Sequence, residues 1–327
     1  MRRLTVRRER FPIRGVFTIS RGSRTESEVV VAEIAADGIA GRGECVPYAR
    51  YGESAESVVA RIEAQAPALA AGLGRRELEE ALPPGAARNA LDCALWDLEA
   101  KEKRVPVWRL AGIPEPKPVV TAYTLSLASA AMMGEAAAAA NAHRPLLKIK
   151  LGGEGDIARV EAVRAAAPAA RLIVDANEAW TPEMLSEYLP ALARLGVALV
   201  EQPLPAGRDE ALARLAHAVP IAADESCHTS ADVAGLVGRY DVVNVKLDKT
   251  GGLSEALRLV RAAEELKLGI MVGCMVGTSL AMAPAMMIAG MAAFVDLDGP
   301  LLLARDRAHG LKYEDGRVHP PVRELWG

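Results

Sequence analysis

LLKIKLG, residues 146–152, opens a series: RLIVDAN begins at 171, ALVEQP at 198 and IAADES at 221. Each is a short apolar run of strand length that ends in polar or Gly/Pro residues, the pattern of a strand buried on both faces. Working outward, VVTAYTLS at 119 precedes these runs, and VVNVKLD at 242, GIMVGCM at 269 and FVDLDGP at 294 follow them. Start-to-start intervals lie between 21 and 27 residues. Helical segments rich in Ala, Leu, Arg and Glu, such as GLSEALRLVRAAEELKL at 252–268, fill the gaps. Eight strands alternating with helices predict an α/β fold, a (β/α)7β TIM-like barrel, over residues 116–304. An open doubly wound sheet would show fewer strands and a Gly-rich first turn, and no GxGxxG or GxxxxGK[ST] follows the early strands.

Residues 1–115 break the period. SEVVVAEIAADG, with a turn at Asp37-Gly38, reads as strand, and AARNALDCALWDLEAKEKR at 86–104 as helix, which predicts an N-terminal α+β capping domain. The tail 305–327 is too short for another barrel unit and is expected to pack back onto that domain. A net charge of −3 with 25% charged residues offers no basic excess for nucleic acid. Cys45, Cys93, Cys227 and Cys274 are scattered without a CxxC pair, as in a reduced cytoplasmic protein without disulfides or zinc. The basic N-terminus lacks an apolar secretory core. The uncharged stretch 269–295 is interrupted by Gly273, Gly277 and Thr278-Ser279, which favours a buried strand plus helix over a membrane span. No membrane partner is expected, and the sequence leaves open a homo-oligomer.

Alternate strand residues share a face, so Lys148 and Lys150 point the same way from the second barrel strand. The following strands end in Asp175, Glu201, Asp224 and Lys246, and the eighth adds Asp296 and Asp298. In a closed barrel the second and sixth strands face each other across the mouth, so lysines flank an arc of three carboxylates at the end where barrel active sites lie. Asp175, Glu201 and Asp224 are all hard oxygen donors without His or Cys, a set that suits Mg²⁺. The layout suits proton abstraction beside a substrate carboxylate, with the cation stabilising the enediolate. With a lysine on each side, one removes the α-proton and the other returns one to the opposite face. A lysine base needs its pKa lowered to roughly 7–8, and burial and neighbouring cations, Lys148 among them, are expected to do this.

These residues, with LDCALWDLEAK in the capping domain, Lys-Ile-Lys on the second strand, and VDANEAW, VEQPLP, ADES and NVKLDKTGG on the next four, resemble the muconate-lactonizing-enzyme subgroup of the enolase superfamily over nearly the whole chain. The resemblance implies Asp175, Glu201 and Asp224 as Mg²⁺ ligands, Lys150 and Lys246 as acid/base lysines, and Lys148 as an accessory lysine. The mandelate-racemase subgroup places a His at the end of the seventh strand, where GCMVGTS has none. The pair Asp296 and Asp298 resembles the device by which dipeptide epimerases hold a free N-terminus, since two carboxylates favour an ammonium and repel an anion. The implied reaction is inversion of the C-terminal α-carbon of a dipeptide. RGSR at 21–24 is similar to the loop of L-Ala-D/L-Glu epimerases, which act on murein peptides in cell wall recycling, and Arg24, or failing it Arg21, is the candidate grip for an acidic second residue. Thr124, on the first barrel strand, joins the substrate-binding set, and Asn177 and Asn244 are expected to support the carboxylates. An N-acylamino acid racemase, an o-succinylbenzoate synthase or a muconate cycloisomerase on the same scaffold is the alternative. A Schiff-base aldolase needs one lysine and no carboxylate arc, and a non-catalytic peptide-binding barrel needs neither lysine.

Overall fold

The chain begins with an antiparallel sheet of three strands, Arg3–Ile19, Gly22–Ala36 and Ile39–Cys45, paired in that order. The computed structural model describes residues 1–327. The Asp37-Gly38 turn takes positive φ at both residues, 51° and 80°, the tight hairpin that this dipeptide favours. Sequence reading did not find the first strand, because a charged run, Arg7 to Arg10, and then Pro12 and Gly15 interrupt its apolar residues. It is held by pairing, and by cross-strand contacts such as Arg8 with Glu28 and Arg7 with Glu33. Behind the sheet lies the helix Ala86–Lys103, of which all but a few residues are buried. A Cβ on Gly41 would meet Ala94 O at 2.2 Å, and one on Gly43 would meet Ala90 O at 2.1 Å, so only glycine lets this helix rest on the third strand.

Eight parallel strands follow in sequential order: Tyr123–Leu125, Leu146–Lys150, Arg171–Asp175, Val197–Glu201, Ile221–Ala223, Val242–Val245, Gly269–Val272 and Phe294–Val295. The curled sheet closes where Ala122 N donates to Val295 O at 2.8 Å, Leu297 N to Thr121 Oγ1 at 2.9 Å and Thr124 N to Asp298 Oδ2 at 2.6 Å. Inside, Ala122, Leu146, Ile173, Leu199, Ala222, Val242, Met271 and Phe294 form one apolar layer. Two residues further along the same strands stand Lys148, Asp175, Glu201, Asp224, Asn244 and Asp296. The strand period of two thus stacks a charged layer directly on an apolar one.

Helices Ala130–Asn141, Asp156–Ala166, Pro182–Arg194, Leu253–Glu265 and Ser279–Ala289 provide the regular crossovers. The crossovers after the fourth and fifth strands depart from the expected helices. They contain a 3₁₀ segment, Glu210–Arg214, and a four-residue helix, Val233–Leu236. Pro203, Pro205 and Pro220, together with Gly207 at φ 75°, break the first of these. The apolar stretch 269–295 divides into a strand and a helix, and no helix is long and apolar enough to cross a membrane.

The tail straps both halves of the molecule. Arg317–Val318 pairs with Val119–Val120 beside the barrel, after which Trp326 Nε1 donates to Cys93 O at 3.0 Å and Gly327 N to Asp97 Oδ1 at 2.8 Å in the cap. Buried carboxylates make further ties between cap and barrel. Asp248 Oδ1 accepts from Val46 N (3.0 Å) and Asn89 Nδ2 (2.8 Å), and Asp92 accepts from Ser254 N and Oγ.

Burial pushes Asp248 up to about 7 and Asp92 up to about 6. An acid with a higher pKa folded than unfolded binds more protons when folded, so these groups make stability fall as pH rises from about 4 towards 7. Thermal melts should therefore show a falling midpoint between about pH 4 and 7. Asp248→Asn should flatten the slope, and an unchanged slope would show that Asp248 is not its source.

Candidate active site

Backbone register sets the site. Lys150 pairs with Asp175 and Asp175 with Glu201, so the ends of the second, third and fourth strands stand side by side at one level. Lys150 Nζ lies 2.5 Å from Asp175 Oδ2. Lys148 Nζ lies 2.6 Å from Glu201 Oε2, 2.8 Å from Asp296 Oδ2 and 3.3 Å from Asp175 Oδ2. On the far side, Lys246 Nζ is 2.6 Å from Asp224 Oδ2 and 3.9 Å from Glu201 Oε1. Asn244 Nδ2 donates to Glu201 Oε1 at 2.8 Å, and Asn177 N to Asp175 Oδ1 at 2.9 Å, which puts both asparagines in contact with the carboxylates.

Burial opposes ionisation of Asp175, but Lys150 and Lys148 outweigh it and lower its pKa to about 2. Asp224 is held well below the usual range against its own burial by Lys246 and Lys249. Glu201, buried between Asp175 and Asp224, is raised to about 7. The expectation of lowered lysine pKa values is not met here. Burial does depress Lys148 and Lys246, yet the carboxylates around each outweigh it and hold both well above the ordinary lysine value.

The cap closes over this cluster and leaves a cavity of about 60 Å³, lined by Lys150, Lys246 and Asp224 below and by Phe17, Ile19, Arg21, Arg24, Tyr48, Tyr51 and Met275 around it. Sequence reading missed what holds the cap shut. Arg21 reaches Glu225 at 2.7 Å and Glu178 at 3.1 Å, and Arg50 grips Glu178 through two contacts of 2.9 Å. Asn177 and Glu178, which receive these contacts, take positive φ of 44° and 68°, a backbone cost that the surrounding contacts must offset. The signal in the sequence was only two loop arginines and a Glu after VDAN, each ordinary when read alone. Lys249 was also missed, although it stands three residues after Lys246.

Arg24 lies where expected, beside the cavity with its guanidinium 5.8 Å from the Tyr48 ring centre. Thr124, Asp296 and Asp298 do not line the cavity. Thr124 is buried and its N–H holds Asp298, which burial and Asp296 push up to about 7. Asp296 Oδ1 is buried with no hydrogen-bond partner. No three carboxylates converge into a ready-made ion cage, because ammonium groups stand between them. Even so, Glu201 Oε2 and Asp224 Oδ1 are buried acceptors that receive no well-formed hydrogen bond, and every donor in the arc is a hard oxygen. The set fits a small divalent cation by its chemistry.

A capped (β/α) barrel with lysines facing each other across three buried carboxylates defines an acid–base site of the enolase type. Residues 1–112 match the mandelate racemase / muconate lactonizing enzyme N-terminal domain, and residues 118–324 the enolase C-terminal domain-like family. The chain belongs to this mandelate racemase/muconate lactonizing enzyme group of the enolase superfamily. It is 48% identical over 320 residues to the L-Ala-D/L-Glu epimerase of Escherichia coli, covering 98% of this chain and all of that one. It is 47% identical over 304 residues to an N-acetyl-D-glutamate racemase of a Pseudoalteromonas species, covering 91% and 95%. Among solved structures, an enolase family member from Agrobacterium tumefaciens with bound sodium and L-Ala-L-Glu superposes with a TM-score of 0.98 at 56% identity over the full length of both chains. A dipeptide epimerase from Enterococcus faecalis, complexed with Mg and L-Leu-L-Tyr, gives a TM-score of 0.91 at 30% identity over 97% and 96%.

Glu178→Gln should weaken the grip of both cap arginines. Substrate KM is expected to rise about tenfold, the size of one charge-assisted contact, with a smaller change in kcat. Unchanged steady-state constants would mean that these pairs do not hold the cap over substrate.

Proposed function

We propose that the protein is a Mg²⁺-dependent isomerase that epimerises dipeptides of the L-Ala-D/L-Glu type at the α-carbon of the C-terminal residue. One observation carries this reading: Lys150 and Lys246 both reach the same cavity under the cap, from strands on opposite sides of the barrel mouth. An α-carbon held between them can lose its proton to one lysine as the neutral amine and gain one from the ammonium of the other, which inverts its configuration and leaves the two lysines with exchanged protonation states. The reverse reaction exchanges the roles of the two lysines. Asp175, Glu201 and Asp224 are the residues we assign to the cation. When bound, Mg²⁺ supplies charge against the substrate carboxylate and takes up the carboxylate charge that otherwise keeps the lysines protonated.

Specificity is assigned to two groups of residues, Arg24 in the cavity wall and the Asp296–Asp298 end of the barrel mouth beyond it. Arg24 carries no carboxylate partner, whereas Arg21 beside it has two, so Arg24 is the cation free for an acidic second side chain. Asp296, with its unpartnered Oδ1, and Asp298 are assigned to the substrate ammonium. Thr124 serves this end by holding Asp298 through its backbone N–H. Ala-Glu units occur in murein peptides, so cell wall recycling in the cytoplasm is the setting that this reading implies.

A second reading, racemisation of N-acylated glutamate, is favoured by the Pseudoalteromonas relative. Asp296 already has Lys148 at 2.8 Å, so a substrate without an ammonium would not leave that carboxylate without a counter-charge.

Incubation with L-Ala-L-Glu and Mg²⁺ in D₂O should place deuterium at the Glu α-carbon and yield the L,D product. Lys150→Ala and Lys246→Ala should each abolish epimerisation while retaining exchange from one antipode, a different one in each variant. Equal full exchange in both variants would refute the two-sided assignment. Asp298→Asn separates the two substrate readings. It should raise KM for Ala-Glu by roughly tenfold or more, as expected for a lost charge-assisted contact, without raising KM for N-acetylglutamate. Equal effects on both substrates would argue against recognition of an ammonium group.

A further inference from the structure

Each lysine that reaches the cavity rests on a carboxylate that a second, enclosed lysine also holds. Lys150 Nζ contacts Asp175 Oδ2, and Lys148 Nζ approaches the same atom at 3.3 Å. Across the mouth, Lys246 Nζ contacts Asp224 Oδ2 at 2.6 Å, while Lys249 Nζ lies 2.7 Å from Asp224 Oδ1. The inner pair, Lys148 and Lys249, have side-chain exposures of 1% and 0%, against 9% and 7% for Lys150 and Lys246. Only Lys150 and Lys246 of the four line the cavity. The mouth therefore contains two lysine–carboxylate–lysine units, with Glu201 between them touching Lys148 and facing Lys246.

We propose that Lys249 is a positioning residue for the known reaction of this fold, the counterpart of Lys148 on the opposite side, fixing Asp224 and through it the ammonium of Lys246. This rests on the two-lysine reading above. Lys249 never reaches substrate, so any effect must pass through Asp224. Its Nζ donates to Asp224 O at 2.5 Å and to Asn244 O at 2.9 Å, two carbonyls on neighbouring strands. The ladder between those strands pairs Val242 with Ala222 and Val243 with Ala223, and goes no further. Lys249 thus supplies a cross-tie just past the last ladder pair, where Asp224 and Asn244 project into the site.

The other side has no such gap. The second and third strands stay paired to their ends, through Lys150 and Asp175. Asp175 is therefore held by its ladder, whereas Asp224 depends on side chains, Gln202 Oε1 accepting from its N–H at 2.8 Å and Lys249 holding its carbonyl and carboxylate. The local sequence is built to deliver the lysine side chain. The turn Leu247–Thr250 folds back on the Lys246 carbonyl, which accepts from Lys249 N and Thr250 N, and Gly251 and Gly252 at φ 77° and 116° let the chain leave it. An ammonium enclosed this completely is tolerated only because its donors are used, and removing it frees Asp224 to turn and Lys246 to follow.

The test compares Lys249→Met and Lys249→Arg with the wild type. In D₂O with Mg²⁺, each antipode of Ala-Glu is followed separately by α-deuteration. Lys249→Met should lose about 100-fold in exchange, the scale of a small misplacement of a reacting group, for the antipode whose exchange Lys246→Ala abolishes. At saturating Mg²⁺, which offsets a loosened Asp224 as cation ligand, the other antipode, served by Lys150, should change by less than about threefold, as for an independent site. Lys249→Arg, which keeps the charge and the carbonyl contacts, should recover most of the lost exchange. A readout without metal or substrate accompanies this. Backbone amide exchange should quicken about tenfold in segments 224–227 and 244–250 of Lys249→Met and stay unchanged in 146–152. Equal loss for both antipodes, or amide exchange unchanged in all three segments, overturns the proposal. If the Met variant does not fold, an Arg variant with no preferential recovery for the Lys246 antipode overturns it equally. If wild-type exchange proves not to divide between Lys150 and Lys246, the two-lysine reading fails instead, and amide exchange alone then decides whether Lys249 ties the strand ends.

Discussion

Buried charge must be compensated, and this requirement organises the barrel mouth. Lys148, Lys150, Lys246 and Lys249 meet Asp175, Glu201, Asp224 and Asp296 with so little solvent between them that an uncompensated member would carry a large desolvation cost. The contacts interlock rather than forming isolated pairs: Lys148 touches three carboxylates and Asp224 two ammonium groups. Such a cluster is stable only where the backbone delivers each group to the right height. Strand register does this, with the apolar layer two residues below as its floor. The three carboxylates and the lysines that hold them form one object that a cation and a substrate must rearrange.

The capping domain completes the enclosure with the same kind of interaction in a more exposed setting. Arg21 and Arg50 reach from cap loops to Glu178 and Glu225 on the barrel, and Arg21 sits between them with its charge spent. Arg24, next in the same hairpin, is left with an aromatic neighbour and no carboxylate. The division of labour between two arginines three residues apart comes from that difference in partners. At the far side of the cap, buried carboxylates such as Asp248 accept from backbone and amide donors of the opposing domain, so the cap is joined to the barrel by hydrogen bonds as well as by apolar packing.

Much of this was legible in the chain. The recurrence of apolar runs near every 25 residues revealed the barrel, and period two on each run revealed which side chains face inward. The first cap strand was not legible, since the charged run Arg7 to Arg10, Pro12 and Gly15 break up its apolar residues, although Phe11 and Ile13 reach the core. Two crossovers departed from the helical pattern, the first of them because prolines and Gly207 interrupt it. The cap latch was hidden because Arg21 and Glu178 are 157 residues apart and neither is unusual in its local context. Lysine ionisation was misjudged because burial and a neighbouring cation were weighed without the carboxylates that close around each ammonium.

The sequence by itself determined the fold class, the arc of three carboxylates and the pair of facing lysines, because hydrophobic period and strand order are local and additive along the chain. Only the tertiary structure decided which lysines reach the cavity and which are locked beneath it, and that one of two adjacent arginines is free. It also decided that Asp296 and Asp298 stand outside the cavity, held by Lys148 and Thr124. Those outcomes depend on which opposite charge lies within a few ångströms. Coulombic interaction falls with distance in space, and separation along the chain carries no record of it.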